Sequence, residues 1–223
     1  MKKFIINLLI LCFCSYSYSQ DLTDAANLTR FAEANARLSK SVVFIGNSIT
    51  EVWVKASPDF FTTNNYIGRG ISGQTSPQLL LRFRQDVVNL HPYAVVINIG
   101  TNDIAQNTGL YSPQLTMDCI QSMTELARYN GIKVILSSVM PVGEYPWRKE
   151  IIEVPLKIDA LNFKIKAYAK ANNLTYIDYN SIMRNEKGAM KVNYSRDGVH
   201  PTLEGYKVME KIAKENIDKA IEF

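Results

Sequence analysis

The chain has 223 residues, of which 47% are hydrophobic and 21% charged, and no shift in composition divides it. This suits one soluble domain with a sizeable core. The formal net charge of +4 falls to +2 without the first 19 residues, which hold two lysines and no acid. Because no run of lysine and arginine alternates with aromatic residues, the composition argues against nucleic-acid binding.

The first 19 residues have the layout of a secretory signal peptide. Two lysines precede an apolar run over residues 4–13, and small and polar residues follow. The apolar run is too short to span a membrane comfortably. We therefore expect cleavage near Ser19 and an exported domain over residues 20–223, in the periplasm or secreted, without a transmembrane segment.

The cysteines bear on this expectation in two ways. Lipid attachment at Cys12 or Cys14 would retain the segment as an anchor, but neither is preceded by the small residues typical of a lipoprotein signal. After cleavage only Cys119 remains. An exported protein with one thiol has no internal disulfide, so its core must stabilise it.

Helix-like and strand-like segments alternate along the rest of the chain. The predicted helices cover residues 24–38, 49–54, 75–87, 112–130, 155–171 and 202–220, and the predicted strands 42–45, 66–69, 94–99, 133–136 and 174–177. This alternation predicts a three-layer α/β/α sandwich around a five-stranded, mainly parallel sheet. Loops that follow successive strands gather at one edge of such a sheet, where ligands bind.

Ser48 follows the first predicted strand. The stretch SVVFIGNSIT, residues 41–50, reads as a buried strand that stops at Gly46 and places this serine in a turn. From this stretch alone two interpretations stay open. Ser48 is either a nucleophile at the carboxyl end of the strand or the cap of the next helix, with Glu51 completing a capping box.

A serine hydroxyl becomes a good nucleophile only when a base accepts its proton. The chain has two histidines. His91 precedes a strand, at the edge opposite to Ser48, and is expected to be structural or exposed. His200 follows Asp197 by three residues, and Gly198 permits a turn that brings the two side chains together. The alternative is an ordinary loop before the last helix.

Acyl transfer also needs hydrogen-bond donors for the developing oxyanion. Three candidates follow predicted strands: the backbone N–H groups of Ser48 and Gly73 and the side-chain amide of Asn102. The alternative for Asn102 is a turn residue, with Asp103 capping the segment after it.

Four blocks carry a resemblance to a known family. They are Gly46-Asn47-Ser48-Ile49-Thr50, Gly70-Ile71-Ser72-Gly73-Gln74-Thr75, Gly100-Thr101-Asn102-Asp103 and Asp197-Gly198-Val199-His200-Pro201. Their order and spacing resemble those of the SGNH hydrolases, or GDSL-type esterases and lipases, over nearly the whole mature chain.

The resemblance implies a flavodoxin-like SGNH fold and a role for each matching residue. Ser48 is expected to be the nucleophile, His200 the base and Asp197 its orienting partner, while Gly73 and Asn102 complete the oxyanion site with Ser48. One position departs from the family, because Asn47 stands where an aspartate usually precedes the serine.

The expected activity is hydrolysis of short-chain, above all acetyl, esters on carbohydrates or other small molecules, and no cofactor is expected. Two histidines without an acidic cluster give no metal-ligand set. Trp53, Tyr145 and Trp147 fit a sugar-stacking surface, with hydrophobic packing as their alternative. Lipid or lysophospholipid esters, thioesters, and an inactive carbohydrate-binding relative remain open alternatives, and the sequence indicates no oligomeric state.

Overall fold

A computed structural model describes residues 25–36 and 41–221. The expected signal peptide, residues 1–19, lies outside the described residues. Within the described ranges, no helix is long and apolar enough to cross a membrane.

A five-stranded sheet forms the middle of the fold. Its strands are β1 (Val42–Gly46), β2 (Tyr66–Gly70), β3 (Ala94–Asn98), β4 (Lys133–Ser137) and β5 (Thr175–Ile177). They lie in the order β2-β1-β3-β4-β5, and all neighbouring pairs are parallel. Each strand is within one residue of its predicted bounds. The strand order reverses between β1 and β3, which is where open α/β sheets form a crevice for ligands.

Helices surround the sheet. They are α1 (Ala32–Asn35), α2 (Ser48–Ala56), α3 (Pro58–Thr63), α4 (Ser76–Asp86), α5 (Thr101–Ile104), α6 (Pro113–Tyr129), α7 (Val154–Ala171), α8 (Tyr179–Met183) and α9 (Leu203–Ile221), with 3₁₀ turns at Val88–Leu90 and Val192–Tyr194.

Alternate residues of the strands face two separate cores. Val43 and Ile45 of β1 belong to the core shared with α4, α6 and α7. Val42 and Phe44 point the other way, into the core shared with α2, α3 and α9. This is the period-two alternation of a strand covered on both faces. The predicted three-layer sandwich is confirmed.

Two helix predictions need correction. Of the helix predicted over residues 24–38, the described part is helical only at residues 25–26 and in α1, because Asn27 takes a left-handed backbone conformation with φ of 53° and interrupts the helix. Residues 24, 37 and 38 lie outside the described part. Pro58 was expected only to end a helix, but it also begins α3, where its missing N–H costs no hydrogen bond.

Candidate active site

The turn after β1 places Ser48 at the start of α2. The helix is capped by Asn47, whose Oδ1 accepts the backbone N–H of Ile49 at 3.0 Å. Ser48 is the first helical residue and is 8% exposed. The capping-box alternative is therefore wrong, because the cap is one residue earlier and the Ser48 hydroxyl is left for another partner.

Gly70 lets the end of β2 lie directly against this turn. A Cβ at position 70 would be 2.2 Å from the backbone nitrogen of Glu51 and 2.7 Å from the carbonyl oxygen of Asn47. Backbone atoms cannot move away as a flexible side chain can, so any larger residue would displace the Ser48 turn.

A chain of hydrogen bonds joins three of the predicted residues. Ser48 Oγ lies 2.9 Å from His200 Nε2, and His200 Nδ1 lies 2.7 Å from Asp197 Oδ2. An ionised carboxylate only accepts hydrogen bonds, so the proton of a neutral imidazole belongs on Nδ1. Nε2 is then the acceptor for the Ser48 hydroxyl, an arrangement that can take a proton from the serine.

The loop around Asp197 holds its carboxylate in place. Oδ1 accepts the backbone N–H groups of Val199 at 2.9 Å and His200 at 2.8 Å, and the Ser195 hydroxyl at 3.1 Å. Partial burial opposes ionisation, but the bonds from the His200 ring and the two backbone N–H groups outweigh it and lower the pKa of Asp197 to about 2. Asp197 is therefore a carboxylate at neutral pH.

The loop after β2 and the segment after β3 meet beside the Ser48 turn. Asn102 Nδ2 donates to the Gln74 carbonyl oxygen at 3.0 Å, which joins the second and third sequence blocks. Gly73 has φ of +80°, and a Cβ there would meet nothing within 4 Å. Glycine is favoured at position 73 by its backbone conformation, and the space beside its Cα is open.

Glu51 connects this loop to α2. Its Oε2 accepts the Ser72 backbone N–H at 2.8 Å and the Ser72 hydroxyl at 2.7 Å. Partial burial opposes ionisation, but hydrogen bonds from Lys55 and Ser72 lower the pKa of Glu51 to about 2. The sequence suggested only a local capping role for Glu51, and no pattern in it points to a partner 21 residues away.

A buried arginine beneath the loops was missed by the sequence analysis. Arg82 has no exposed side-chain surface, and its guanidinium donates to the carbonyl oxygens of Gly46 and Arg69, both at 2.9 Å. It also bonds Gln74 Oε1 at 2.6 Å and forms an ion pair with Asp86 at 3.0 Å. Arg82 thus ties the ends of β1 and β2 to the loop that carries Gly73.

Asp103 is a second buried ionisable residue that supports the loops. Its carboxylate accepts the Ser76 backbone N–H at 3.0 Å and the Ser76 hydroxyl at 2.5 Å, and Thr116 Oγ1 lies at 3.3 Å. Burial raises the pKa of Asp103, although these bonds oppose the shift. Asp103 therefore caps the start of α4 and fixes the segment that holds Asn102.

Two of the three predicted sugar-stacking aromatics are buried. Trp53 is 2% exposed and stacks on Phe60 and Tyr206, with ring centroids 5.3 and 5.6 Å away. Tyr145 is 0% exposed and its hydroxyl lies 3.2 Å from Thr101 Oγ1. The expectation of a stacking role is wrong for both, because neither presents a ring face to solvent.

Trp147 differs, since it is 44% exposed. Its Nε1 donates to Asn107 Oδ1 at 3.1 Å, and Asn107 Nδ2 donates to the Gly73 carbonyl oxygen at 3.2 Å. One asparagine therefore separates the indole from the Gly73 loop.

The structure also describes Asn47, which departs from the family pattern, and His91, which was expected to be structural or exposed. Asn47, at 1% exposure, leaves its Nδ2 without a hydrogen-bond partner. An aspartate at this position would present an oxygen in place of that donor.

His91 is exposed and precedes β3, at the sheet edge opposite to the Ser48 turn, as expected.

Comparison with known proteins places this arrangement in a family. The family model "GDSL-like Lipase/Acylhydrolase family" matches residues 44–208. The crystal structure of a GDSL-like lipase from Bacteroides thetaiotaomicron is 56% identical, with 87% of this chain and 98% of that chain covered and a TM-score of 0.86. A candidate acylhydrolase from Bacteroides fragilis is 51% identical, with 88% and 98% covered and a TM-score of 0.87.

A curated relative is more distant. The chain is 29% identical over 148 residues to "Uncharacterized lipoprotein YqeF" of Bacillus subtilis. The match covers 65% of this chain but only 59% of that relative's length. The family match, residues 44–208, spans well over half of this chain, and the protein therefore belongs to the GDSL-like lipase/acylhydrolase family, as the four sequence blocks indicated.

Proposed function

We propose that the protein hydrolyses carboxylic esters through an acyl-enzyme intermediate on Ser48. The observation that carries the proposal is the unbroken chain of hydrogen bonds from Ser48 Oγ to His200 and on to Asp197, with distances of 2.9 and 2.7 Å. A serine that donates to the free nitrogen of an oriented imidazole is an activated nucleophile. Family membership supports the same reaction class.

In the first half-reaction, Ser48 Oγ attacks the ester carbonyl carbon while its proton passes to His200 Nε2. The carbonyl oxygen becomes negatively charged and accepts hydrogen bonds from the N–H groups of Ser48 and Gly73 and from the Asn102 amide. The N-terminus of α2, where Ser48 lies, adds a favourable dipole. When the tetrahedral intermediate collapses, the bond to the leaving oxygen breaks and His200 returns the proton to the alcohol.

In the second half-reaction, water replaces the alcohol. His200 accepts a proton from the water, whose oxygen attacks the acyl carbon, and then returns the proton to Ser48 as the acid leaves. Asp197 stays ionised throughout and stabilises the imidazolium that forms in both steps. Removing one oxyanion donor from such a site typically costs about 100- to 1,000-fold in rate.

We propose short acyl groups, above all acetyl, carried by carbohydrates as the substrate class. Two observations support it. A depression of about 320 Å³ next to the proposed base is lined by Asp197, His200 and Leu203. The half-exposed Trp147 ring is linked through Asn107 to the Gly73 loop and offers a face on which a sugar can stack.

The reaction class is tested with 4-nitrophenyl acetate and two serine variants. Ser48→Ala should lose at least about 10⁴-fold in kcat because the nucleophile is gone. Ser41→Ala is the matched control, since Ser41 precedes the same strand and its hydroxyl has no hydrogen-bond partner. Wild-type protein without esterase activity would contradict the proposal and favour an inactive carbohydrate-binding relative. Full activity in Ser48→Ala would contradict Ser48 as the nucleophile.

The substrate class is tested by comparing acetylated xylan, acetylated sialic acid, a long-chain lipid ester and an acyl thioester. Acetylated carbohydrate should have the highest kcat/KM. Trp147→Ala should raise KM for the carbohydrate but leave 4-nitrophenyl acetate unchanged, with the exposed Tyr129→Ala as control. Preference for the lipid ester or the thioester would rule out the carbohydrate assignment.

We also propose that residues 1–19 direct export and are removed, leaving residues 20–223 as the domain. The Bacillus subtilis relative is named a lipoprotein, which supports export of this chain and leaves lipid anchoring as the alternative to removal of the segment. Intact-mass analysis of the full chain expressed in a bacterial host should give a mature protein that begins at Gln20. A lipidated protein whose mass changes in the Cys14→Ser variant would establish anchoring instead.

A further inference from the structure

We propose that Glu51 is a positioning residue that sets the Gly73 amide relative to the Ser48 nucleophile. This inference rests on the proposed function, in which that amide is one of the oxyanion donors. Glu51 lies three residues after Ser48 in α2, so it is carried by the same helical turn as the nucleophile. Its Oε2 holds both the backbone N–H and the hydroxyl of Ser72, the residue before Gly73.

The loop needs such a tether because Gly73 has few contacts of its own: the hydrogen bond described for it is the one that its carbonyl oxygen accepts from Asn107 Nδ2 at 3.2 Å. Gly73 is exposed and has a left-handed backbone conformation, and it has no side chain to pack. Ile71 is held by its N–H bond to the Gly46 carbonyl oxygen at 3.1 Å, and Gln74 by Asn102. Between these two anchors, every hydrogen bond described for Ser72 goes to Glu51.

The two carboxylate oxygens of Glu51 have separate tasks. Oε2 binds Ser72, whereas Oε1 accepts Lys55 Nζ at 2.8 Å and Arg30 Nη2 at 3.2 Å. The Glu51 side chain is 15% exposed, while those of Lys55 and Arg30 are largely open to solvent. The cationic partners therefore contact one carboxylate oxygen, and the other carboxylate oxygen holds the loop. The separation makes each set of contacts testable on its own.

The expected consequence is kinetic. A misplaced oxyanion donor weakens binding of the transition state more than binding of the substrate, so kcat falls while KM changes little. A misplacement of about 1 Å in a catalytic group can cost about 100-fold. We expect Glu51→Ala to lower kcat by about 10- to 100-fold and to leave KM within about twofold.

The experiment measures amide hydrogen exchange over residues 70–75 together with steady-state kinetics on 4-nitrophenyl acetate. Glu51→Ala should speed exchange at the Ser72 amide at least about tenfold, because the hydrogen bond that protects this N–H is lost. Glu51→Gln keeps an acceptor for the Ser72 N–H and should restore most of the protection and of kcat. Ser72→Ala removes only the hydroxyl contact and should have an intermediate effect.

Lys55→Gln is the matched control, because it removes a partner of Oε1 and touches no loop atom. It should leave both exchange and kcat near the wild-type values. Unchanged exchange in Glu51→Ala, a change in KM alone, or equal effects in Lys55→Gln would overturn the inference. If Glu51→Ala does not fold, the ordering of Glu51→Gln, Ser72→Ala and Lys55→Gln decides the same question.

The two readouts also separate this inference from the proposed function. If wild-type protein hydrolyses no ester but Glu51→Ala still speeds exchange at Ser72, the tether stands and the esterase proposal fails. If the protein is an active esterase and the loop exchanges at the wild-type rate without Glu51, the esterase proposal stands and the positioning role is wrong.

Discussion

The two sides of the Ser48 site are built differently. The donor side, where we propose that Gly73 and Asn102 bind the oxyanion, rests on buried ionisable side chains: Arg82 reaches two strand ends and Asp103 holds the start of α4. The base side is the loop that carries Asp197 and the proposed base, His200. Their side chains are 48% and 31% exposed, and Asp197 is held by contacts within five residues of chain.

This difference in construction predicts which substitutions change kcat alone and which also change the free energy of unfolding. Oxyanion donors stabilise charge only if they stay fixed while it develops, so a rigid, buried support is useful there. An imidazole that moves protons needs one well-oriented hydrogen bond, which a short loop can supply. We therefore expect changes on the base side to reduce rate at little cost in stability, and changes beneath the donor side to reduce stability as well.

The largest expected effect is on the base side. Asp197→Asn should lower kcat about 10⁴-fold, because an amide neither stabilises the imidazolium nor fixes the Nδ1 proton. The free energy of unfolding should change by less than about 1 kcal/mol, since the site is half exposed. Activity assays with denaturant unfolding measure both quantities. A loss of several kcal/mol would show that the base loop is structural and would remove the contrast between the two sides.

The second-largest expected effect is a loss of stability when Arg82, which lies beneath the donor side, is replaced. Arg82→Met should lower the free energy of unfolding by about 3–5 kcal/mol, because Asp86 and two strand-end carbonyl groups then lose a buried partner. Arg84→Met, an exposed change on the same helix, should stay within about 0.5 kcal/mol of wild type. Urea unfolding followed by circular dichroism measures the difference. Equal stability of the two variants would contradict the proposed support.

A smaller loss is expected at Asp103. Asp103→Ala leaves the Ser76 N–H and hydroxyl buried without their acceptor, which should cost about 1–3 kcal/mol. Asp118→Ala, on the exposed face of α6, is the control and should be nearly neutral. Thermal unfolding at a fixed pH compares the two. The Asp103 variant should also lose kcat, because Asn102 follows the displaced segment, and retention of full kcat would separate Asp103 from the site.

The smallest effect is a pH dependence. The folded pKa values of Glu51 and Asp197 are about 2, below the ordinary values of 4.5 and 3.8. Their contribution to stability is therefore complete above about pH 5 and is lost as the pH falls towards 2. Over this range the free energy of unfolding should fall less steeply in Glu51→Gln than in wild type. If the free energy of unfolding fell equally with pH in both proteins, the Glu51 carboxylate would form no net favourable contacts in the folded protein.

The sequence predicted the features that short patterns encode. Apolar, β-branched runs marked β1, β3 and β4, weaker patterns marked β2 and β5, and all five strands were predicted within one residue. The alternation of elements predicted the layers. The contact between Asp197 and His200 could be predicted because both residues lie in one turn. The meeting of Ser48 with His200 was inferred from sheet geometry and from the family blocks, not from any local signal.

The features that the sequence did not predict depend on contacts between distant segments. An arginine in a helix is usually exposed, so nothing in the sequence marked Arg82 as buried. Glu51 fits a local cap as well as a tether to Ser72. Aromatic residues suit both packing and sugar binding, and only the burial of Trp53 and Tyr145 separates these roles.

The most direct test of the central claim is to map where a serine-reactive fluorophosphonate attaches, by peptide mass spectrometry. We predict one label, on Ser48, formed in parallel with loss of esterase activity and absent from Ser48→Ala. It also predicts much slower labelling in His200→Ala, since the base no longer activates the hydroxyl. Loss of activity with Ser48 unmodified, or labelling of another residue at the same rate, would contradict Ser48 as the nucleophile.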